Sequence, residues 1–305
     1  MRKKNILHAP HIEKLKKRKR KVLKNKIIFS LICFVIIFIG LIFLSRWDKI
    51  NIENIEISGN EVIETEAIEL IVKKNITGYY LWLFPKTNFL LYPQNKIEKE
   101  LSEIFKRFDT IKVNDKSIKT LEISVSEREG KYLWCGDKVP YLTSDTNSFK
   151  CYFMDKDGYI FDEAPYFSGD VYFKFYGGDN NLNIENPSGS YFLKDYFKDI
   201  IVFKDNLEKL NFKPKSFFKS LDEGSEDEGF ISLFSDPAYG AHISFKLDSN
   251  YEKITENFQA AISTEPLQSE LKNKFSSLLY IDLRFGNKVY YKFSTKGGST
   301  SDGRQ

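Results

Sequence analysis

The sequence predicts an α+β protein: an N-terminal transmembrane helix, a small β-α-α-β-β domain, then a mixed, strand-rich β domain with flanking helices. Three observations lead there. Residues 27–44 read IIFSLICFVIIFIGLIFL, eighteen residues without a charge, Pro, Asn or Gln. Two amphipathic helical patterns follow between short alternating segments. Beyond residue 50 the chain is rich in Phe, Tyr and Ile, which suit pleated, half-buried surfaces.

As a helix the apolar run spans roughly 27 Å at about 1.5 Å per residue, close to the hydrocarbon thickness of a bilayer. Its flanks set its direction. Residues 1–26 hold twelve Lys/Arg against one acid, Glu13, so the positive-inside rule keeps this end in the cytoplasm and the remainder outside. A cleaved signal peptide would have a shorter apolar core and a small-residue cleavage site, and Leu41 to Trp47 offers none. Trp47 suits the interfacial belt. The reading is a retained, single-pass anchor in the inner or plasma membrane.

The formal charge of +4 belongs to this tail alone. Of the 46 Lys/Arg and 42 Asp/Glu, residues 27–305 carry 34 and 41, a net of −7. Nucleic acid is therefore not an expected partner, since basic residues clustered beside a span set topology and attract anionic lipid. Cys33 lies in the span, and Cys135 and Cys151 are the only thiols beyond it. These two make one disulfide candidate, the alternative being two separate buried thiols.

The first segment past the span starts at residue 48. Ile50 and Ile52 alternate, and Ile55 and Ile57 do so on the opposite parity, which implies a junction near Glu53-Asn54. Ser58-Gly-Asn60 forms a turn. Thr65 can cap a helix whose apolar face is Ile68, Ile71, Val72 and Ile76, with Gly78 as its stop. The aromatic run from Tyr79 to Tyr92, broken by Pro85, is expected to be a buried inter-helix loop and not a second membrane segment. Pro93 opens a helix with Ile97, Leu101, Ile104, Phe105 and Phe108 on one face. Strands at Ile111–Val113 and Leu121–Val125 are joined by a turn at Asn114–Ser117.

In the second segment, Lys131–Cys135 is a short apolar run, and residues 150–161 read strand, Asp-Lys-Asp-Gly turn, strand. An EF-hand would need an acid at Phe153 and a bidentate Glu further on, so metal is not expected. Val171–Tyr176 reads as a strand, and Phe192, Tyr196, Ile200, Phe203, Leu207 and Leu210 recur at helical spacing. Asp222, Glu223, Glu226, Asp227 and Glu228 read as a solvated loop. Phe230–Phe234 and His242–Leu247 are strands, joined through Asp236-Pro-Ala-Tyr-Gly240. Glu252–Ile262 and Leu267–Phe275 are helices. In Leu279–Phe293, alternation sets Tyr280, Asp282 and Arg284 against Ile281, Leu283 and Phe285, and Gly286-Asn287 is a two-residue hairpin turn.

A basic tail, one span, Ile55-x-Ile57-Ser-Gly59-Asn60, a β-α-α-β-β unit and Leu121-x-Ile-x-Val125-x-Glu127-Arg128 together resemble the FtsQ/DivIB family of bacterial cell-division proteins. The Asp155–Phe161 hairpin and the string Tyr280-Ile-Asp-Leu-Arg284-Phe285 extend the likeness to residue 293. The resemblance implies a POTRA domain at residues 48–126 and a β domain at 127–294, between a basic cytoplasmic tail (1–26), a span (27–47) and a disordered tail (295–305). It implies a non-catalytic divisome scaffold at the septum, with FtsB/DivIC-like and FtsL-like division proteins and the lipid bilayer as partners. It places Arg284 on a partner-binding position and Phe285 on one often held by Tyr.

Hairpin geometry adds to this. A chain whose last ordered strand is Lys288–Phe293 leaves that strand as a sheet edge, so Arg284, Phe285, Lys288, Tyr290 and Lys292 are the candidate partner-binding residues. An enzyme reading finds little. Beyond the span the only His is His242, with no nucleophile motif, no zinc ligand set and no phosphate-cradling Gly loop. No cofactor or small-molecule substrate is expected. Paired carboxylates leave a membrane-anchored cell-wall hydrolase as the alternative.

Overall fold

A computed structural model describes residues 10–137, 150–167, 169–178, 182–220, 227–234 and 240–294. The expected tail 295–305, the acids Asp222, Glu223 and Glu226, most of the 236–240 connection, and Arg2, Lys3 and Lys4 lie outside them. Chain contacts divide the molecule after Glu127 into two compact units.

In the first unit, α1 (Pro10–Ser45) is one continuous helix that carries much of the basic tail as well as the apolar run. Its apolar part is long and apolar enough to cross a membrane, with none of it buried within the protein. The helix ends at Ser45, whose carbonyl, left without an intrahelical partner, accepts from the side-chain amides of Asn51 and Asn88 at 3.3 and 3.2 Å.

A three-stranded sheet follows, in the order β1 (Asn54–Ser58), β5 (Thr120–Glu127), β4 (Phe108–Ser117), with β1 parallel and β4 antiparallel to β5. Two helices, α2 (Thr65–Ile76) and α3 (Gln94–Ile104), contribute Ile68, Val72, Ile97 and Leu101 to a core shared with Val113, Leu121 and Ile123, all fully buried. Between the helices lies a small hairpin, β2 (Tyr79–Tyr80) with β3 (Phe84–Pro85).

Three expectations are corrected by this unit. Thr65 does not cap α2: the N-cap is Glu64, without a side-chain bond, while Thr65 Oγ1 accepts from Asn60. The turn expected at Asn114–Ser117 is strand, because β4 stays paired with β5 as far as Ser117↔Thr120, with a register shift between Asp115 and Ser117, and turns only after it. Its polar composition suggests a turn because an outer strand of a small sheet tolerates polar residues on its free side. The Tyr79–Tyr92 run is only partly core. Phe89 and Tyr92 pack inward, but Leu81 and Trp82 are 82% and 91% exposed.

The second unit is a nine-stranded sheet. Its strands in chain order are β6 (Tyr132–Trp134), β7 (Cys151–Met154), β8 (Ile160–Ala164), β9 (Lys174–Tyr176), β10 (Ser216–Lys219), β11 (Glu228–Ser232), β12 (His242–Lys246), β13 (Leu278–Phe285) and β14 (Lys288–Phe293). In space they run β14-β13-β12-β11-β10-β9-β6-β7-β8. Parallel neighbours need a crossover. Accordingly α4 (Phe197–Lys209) joins β9 to β10, and α5 (Tyr251–Ile262) with α6 (Leu267–Lys274) joins β12 to β13.

These crossovers share one core. A continuous row, Trp134, Phe175, Phe217, Ile231, Ile243, Ile281 and Tyr291, runs across seven strands. It packs with Phe197, Ile200, Phe203 and Leu207 of α4 and Ile254 and Phe258 of α5. Each fully buried aromatic contributes about 1.5–3 kcal/mol by burial. On the opposite face Tyr176, Phe218 and Phe230 stack, with ring centroids 4.6 and 4.9 Å apart.

In this unit too the periodicity overreaches. The strand expected from Val171 begins at Lys174, and Phe192 and Tyr196 precede α4, with Leu193 at φ 44° breaking any helical continuation. Glu228 belongs to β11 and not to the acidic loop. β10 has no counterpart among the strands that the residue pattern predicts. Cys135 and Cys151 continue the antiparallel pairing of β6 with β7 and are joined as a disulfide, across a separation of 16 residues.

The adjacent residues Glu127 and Arg128 act in different units. Glu127 accepts from the backbone N–H groups of Glu61, Val62 and Ile63 at 2.9–3.1 Å and so fixes the entry to α2. Arg128 pairs with Asp155, whose other oxygen accepts from the N–H groups of Asp157 and Tyr159. The leading acid of the 155–158 turn thus has a structural role. Hydrogen bonds to a charged acceptor contribute about 1.5–3 kcal/mol. Glu127→Ala is expected to speed amide hydrogen exchange at residues 61–63 by roughly 10- to 100-fold, the equivalent of that contribution, with α5 amides unchanged. Unaltered exchange at 61–63 would show that the loop does not depend on this carboxylate.

Candidate functional site

The last hairpin is built by a glycine turn and a bulge. Gly286 sits at φ 65°, a region that suits a residue without Cβ, and lets β13 reverse into β14. Asn257 of α5 donates to Gly286 O at 3.3 Å, tying the turn to the helical layer. Tyr280↔Lys292, Ile281↔Tyr291 and Asp282↔Tyr290 hold one register, but Phe285 pairs with Lys288, one residue out of step. A single extra residue in β13 accounts for the shift.

That bulge overturns the alternation expected for Phe285. Strict alternation sends it to the core face with Ile281 and Leu283. Instead it shares a face with Asp282 and Tyr290, is 54% exposed, and meets the Tyr290 ring edge-on at 5.3 Å. The Arg284 guanidinium lies 5.7 Å from the same Phe285 ring. Two aromatic rings and a cation therefore gather at the tip of the hairpin.

β14 pairs with β13 on one side and ends the sheet on the other. Lys288, Tyr290 and Lys292 are exposed, while Val289, Tyr291 and Phe293 pack against the main core. The strand is thus anchored by alternate side chains, and its outer backbone groups have no neighbouring strand among the described residues. Edge lysines suit such a position, because a charge must be accommodated before a second chain can pair there.

Arg284 is held within the chain. Its Nε and Nη2 donate to the two oxygens of Asp282 at 2.9 and 2.6 Å, and Nη1 donates to Glu228, which arrives from β11. Asp282 is only 7% exposed. Burial works against its charged form, yet the bonds from Arg284 outweigh it and hold the carboxyl below the usual range. Asp282, and after it Glu228, push the guanidinium pKa further up. Three of the five guanidinium N–H groups are used, so two remain for an incoming acceptor.

Beside this cluster, His242, Ser244, Tyr280, Asp282, Arg284, Phe285 and Tyr290 line a concavity of about 430 Å³ on the face opposite the helices. Burial depresses the His242 pKa, against the pull of a Gly240 backbone hydrogen bond and the Asp282 charge, so the imidazole is neutral at pH 7. Asp282 and Glu228 were not among the expected site residues. Asp282 carries a signal, as an acid two residues before an Arg on a strand. Glu228 carries none, since it lies 56 residues from Arg284. The disulfide candidates Cys135 and Cys151 lie far along the sheet, beside Leu133, Tyr176 and Phe218.

The cluster makes stability depend on pH. Asp282 has a depressed pKa in the folded state, so its pairing stabilises the fold above the ordinary carboxyl range and that contribution disappears as pH falls through the depressed value. Arg284→Gln is expected to lower stability by about 1.5–3 kcal/mol at pH 7, the range for hydrogen bonds to charged groups, and by progressively less in acid. Denaturant unfolding of wild type and variant between pH 3 and 8 checks this. A deficit that does not change with pH would remove Asp282 from the account.

Neither a family model nor a curated protein matches the chain, so the chemistry of this hairpin carries the functional reading.

Proposed function

We propose that the chain is a non-catalytic, single-pass membrane scaffold of bacterial cell division, of the FtsQ/DivIB kind, with its first small sheet unit as the POTRA domain. The observation that carries this reading is the position of β14. It ends a nine-stranded sheet, with no strand on its outer side among the described residues; Tyr290 meets Phe285, next to Arg284, at the hairpin tip, and Lys288 and Lys292 lie exposed along the strand.

An open edge offers a partner strand main-chain hydrogen bonds along its length, and the side chains beside it choose the partner. Phe285 and Tyr290 supply the apolar contact, and aromatic residues and Arg dominate binding energy at protein interfaces. Arg284 retains two guanidinium N–H groups for an incoming acceptor such as a carboxylate. A segment of an FtsB/DivIC-like protein, delivered by its own membrane span alongside an FtsL-like protein, fits that chemistry.

The scaffold reading also draws support from the state of the acids. A glycosidase needs one carboxyl protonated near neutral pH. Asp282, beside the concavity, is held in the opposite state by Arg284. The anchor reading draws on α1 and on the twelve basic residues in the first 26 positions of the chain.

Two experiments bear on the proposal. Phe285→Asp with Tyr290→Asp in the tagged full-length chain is expected to reduce co-isolation of small coiled-coil membrane proteins at least about tenfold, given hot-spot losses above about 1.4 kcal/mol, while membrane level and unfolding midpoint stay constant. Undiminished recovery would place the binding edge elsewhere, and peptidoglycan cleavage by the purified chain would replace the scaffold with a hydrolase. For topology, protease added outside spheroplasts is expected to digest residues 50–305 and spare the basic tail; a protected large segment would reverse the orientation.

A further inference from the structure

The hairpin of β2 and β3 is built unlike a water-facing turn. Its two central residues, Leu81 and Trp82, both have positive φ, 48° and 66°, a region where Gly or Asn is the ordinary choice. Two large apolar side chains occupy it instead and point outward, 82% and 91% exposed. Nothing in the core of this unit requires them, because its packed members from this run are Phe89 and Tyr92.

What holds the hairpin is the end of α1. Arg46, one residue past that helix, donates from Nε to Leu83 O at 3.2 Å and from Nη2 to Trp82 O at 3.3 Å. Its guanidinium lies 5.6 Å from the Tyr79 ring. Asn88, 3% exposed, donates to Ser45 O, while the backbone N–H groups of Ile52 and Phe89 donate to Thr87 O and Ile50 O. Most tellingly, the Phe84 ring packs edge-on against Phe38 at 5.9 Å. Phe38 lies seven residues before the helix end, roughly 10 Å down its axis at about 1.5 Å per residue.

A ring that reaches this far alongside the apolar helix shares its surroundings. Around it sit the side chains that populate a headgroup boundary. Tyr79 and Trp47 are 58% and 53% exposed, Lys49 Nζ lies 5.3 Å from the Trp47 ring, and Lys86 Nζ lies 5.6 Å from the Tyr80 ring. Aromatic rings with a polar edge, next to cations that can meet lipid phosphates, are the composition of that zone.

We infer that the Tyr79–Pro85 hairpin is a second membrane contact, with Leu81 and Trp82 inserted at the boundary of headgroups and acyl chains beside the C-terminal end of α1. The inference rests on the reading of α1 as a span, and its occupant is lipid. Insertion gives the strained tip an environment that rewards Leu and Trp, and it fixes the first unit against the bilayer at two points instead of one.

Trp82 reports on this directly. The full chain carrying Trp47→Phe is reconstituted in vesicles of phosphatidylethanolamine and phosphatidylglycerol. Trp134, at 1% exposure, is shielded, so quenchable emission comes from Trp82. Spin-labelled lipid with the label near the headgroup end of the acyl chain is expected to quench that emission, a label near the chain terminus less so, and aqueous iodide hardly at all. Adding Trp82→Phe is expected to abolish the lipid-dependent part. Quenching by iodide and not by labelled lipid, in protein that still resists carbonate extraction, would leave α1 inserted and overturn the hairpin's insertion. Protein released by carbonate would overturn the span reading itself, and this inference with it.

Discussion

The architecture of residues 128–294 follows from the parallel pairing of β9 with β10 and of β12 with β13. A parallel neighbour cannot be reached by a tight turn, so each junction requires an excursion of chain long enough to hold a helix. Both excursions, α4 and α5–α6, pack into one core with the row from Trp134 to Tyr291. One face of the sheet is thereby sealed. The other is left to stacked rings and to the Arg284 cluster, and only the final antiparallel hairpin extends past the last crossover. The exposure of β14 is thus a consequence of where the crossovers fall.

Within that frame, Arg284 has a double character. Two of its neighbours, Asp282 and Glu228, neutralise it and fix its plane, which removes much of the conformational freedom that a long side chain would otherwise lose on binding. The same arrangement makes Arg284 a poor target for charge reversal. A Glu at 284 would place three carboxylates together, one of them the buried Asp282, and disturb the fold as well as the proposed interface. Removing β14 is no cleaner, since Val289, Tyr291 and Phe293 cover part of the main core. Exposed Phe285 and Tyr290 are the positions at which the proposed interface and the fold can be separated.

The sequence made legible what rests on long periodic signals. The apolar helix, the face of α2, the 155–158 turn and the Gly286-Asn287 reversal stand close to where periodicity and turn chemistry put them. Of the face expected for α3, only Ile97 and Leu101 are buried on the helix, with Ile104 exposed and Phe108 opening β4. What escaped it has physical causes. β10, Ser-Phe-Phe-Lys, is buried on both faces through Phe217 and Phe218, so it shows no alternation, and four residues are too few to register as a run. The bulge before Phe285 inserts one residue without a Gly or Pro to mark it, and one residue is enough to exchange the two faces of a strand. The Arg284–Glu228 pair spans 56 positions, a distance over which local pattern carries no information. At Tyr79–Tyr92, apolar composition suggests burial in protein, although the same composition suits another apolar solvent.

The disulfide between Cys135 and Cys151 separates the length of a connection from the geometry of the sheet, because it joins the facing ends of two adjacent strands covalently. Doubling such a loop costs only about 0.6 kcal/mol in closure entropy, and the strand ends on either side are held covalently whatever is inserted. The pairing of β6 with β7, and the aromatic core behind it, therefore does not depend on how much chain runs between the two cysteines.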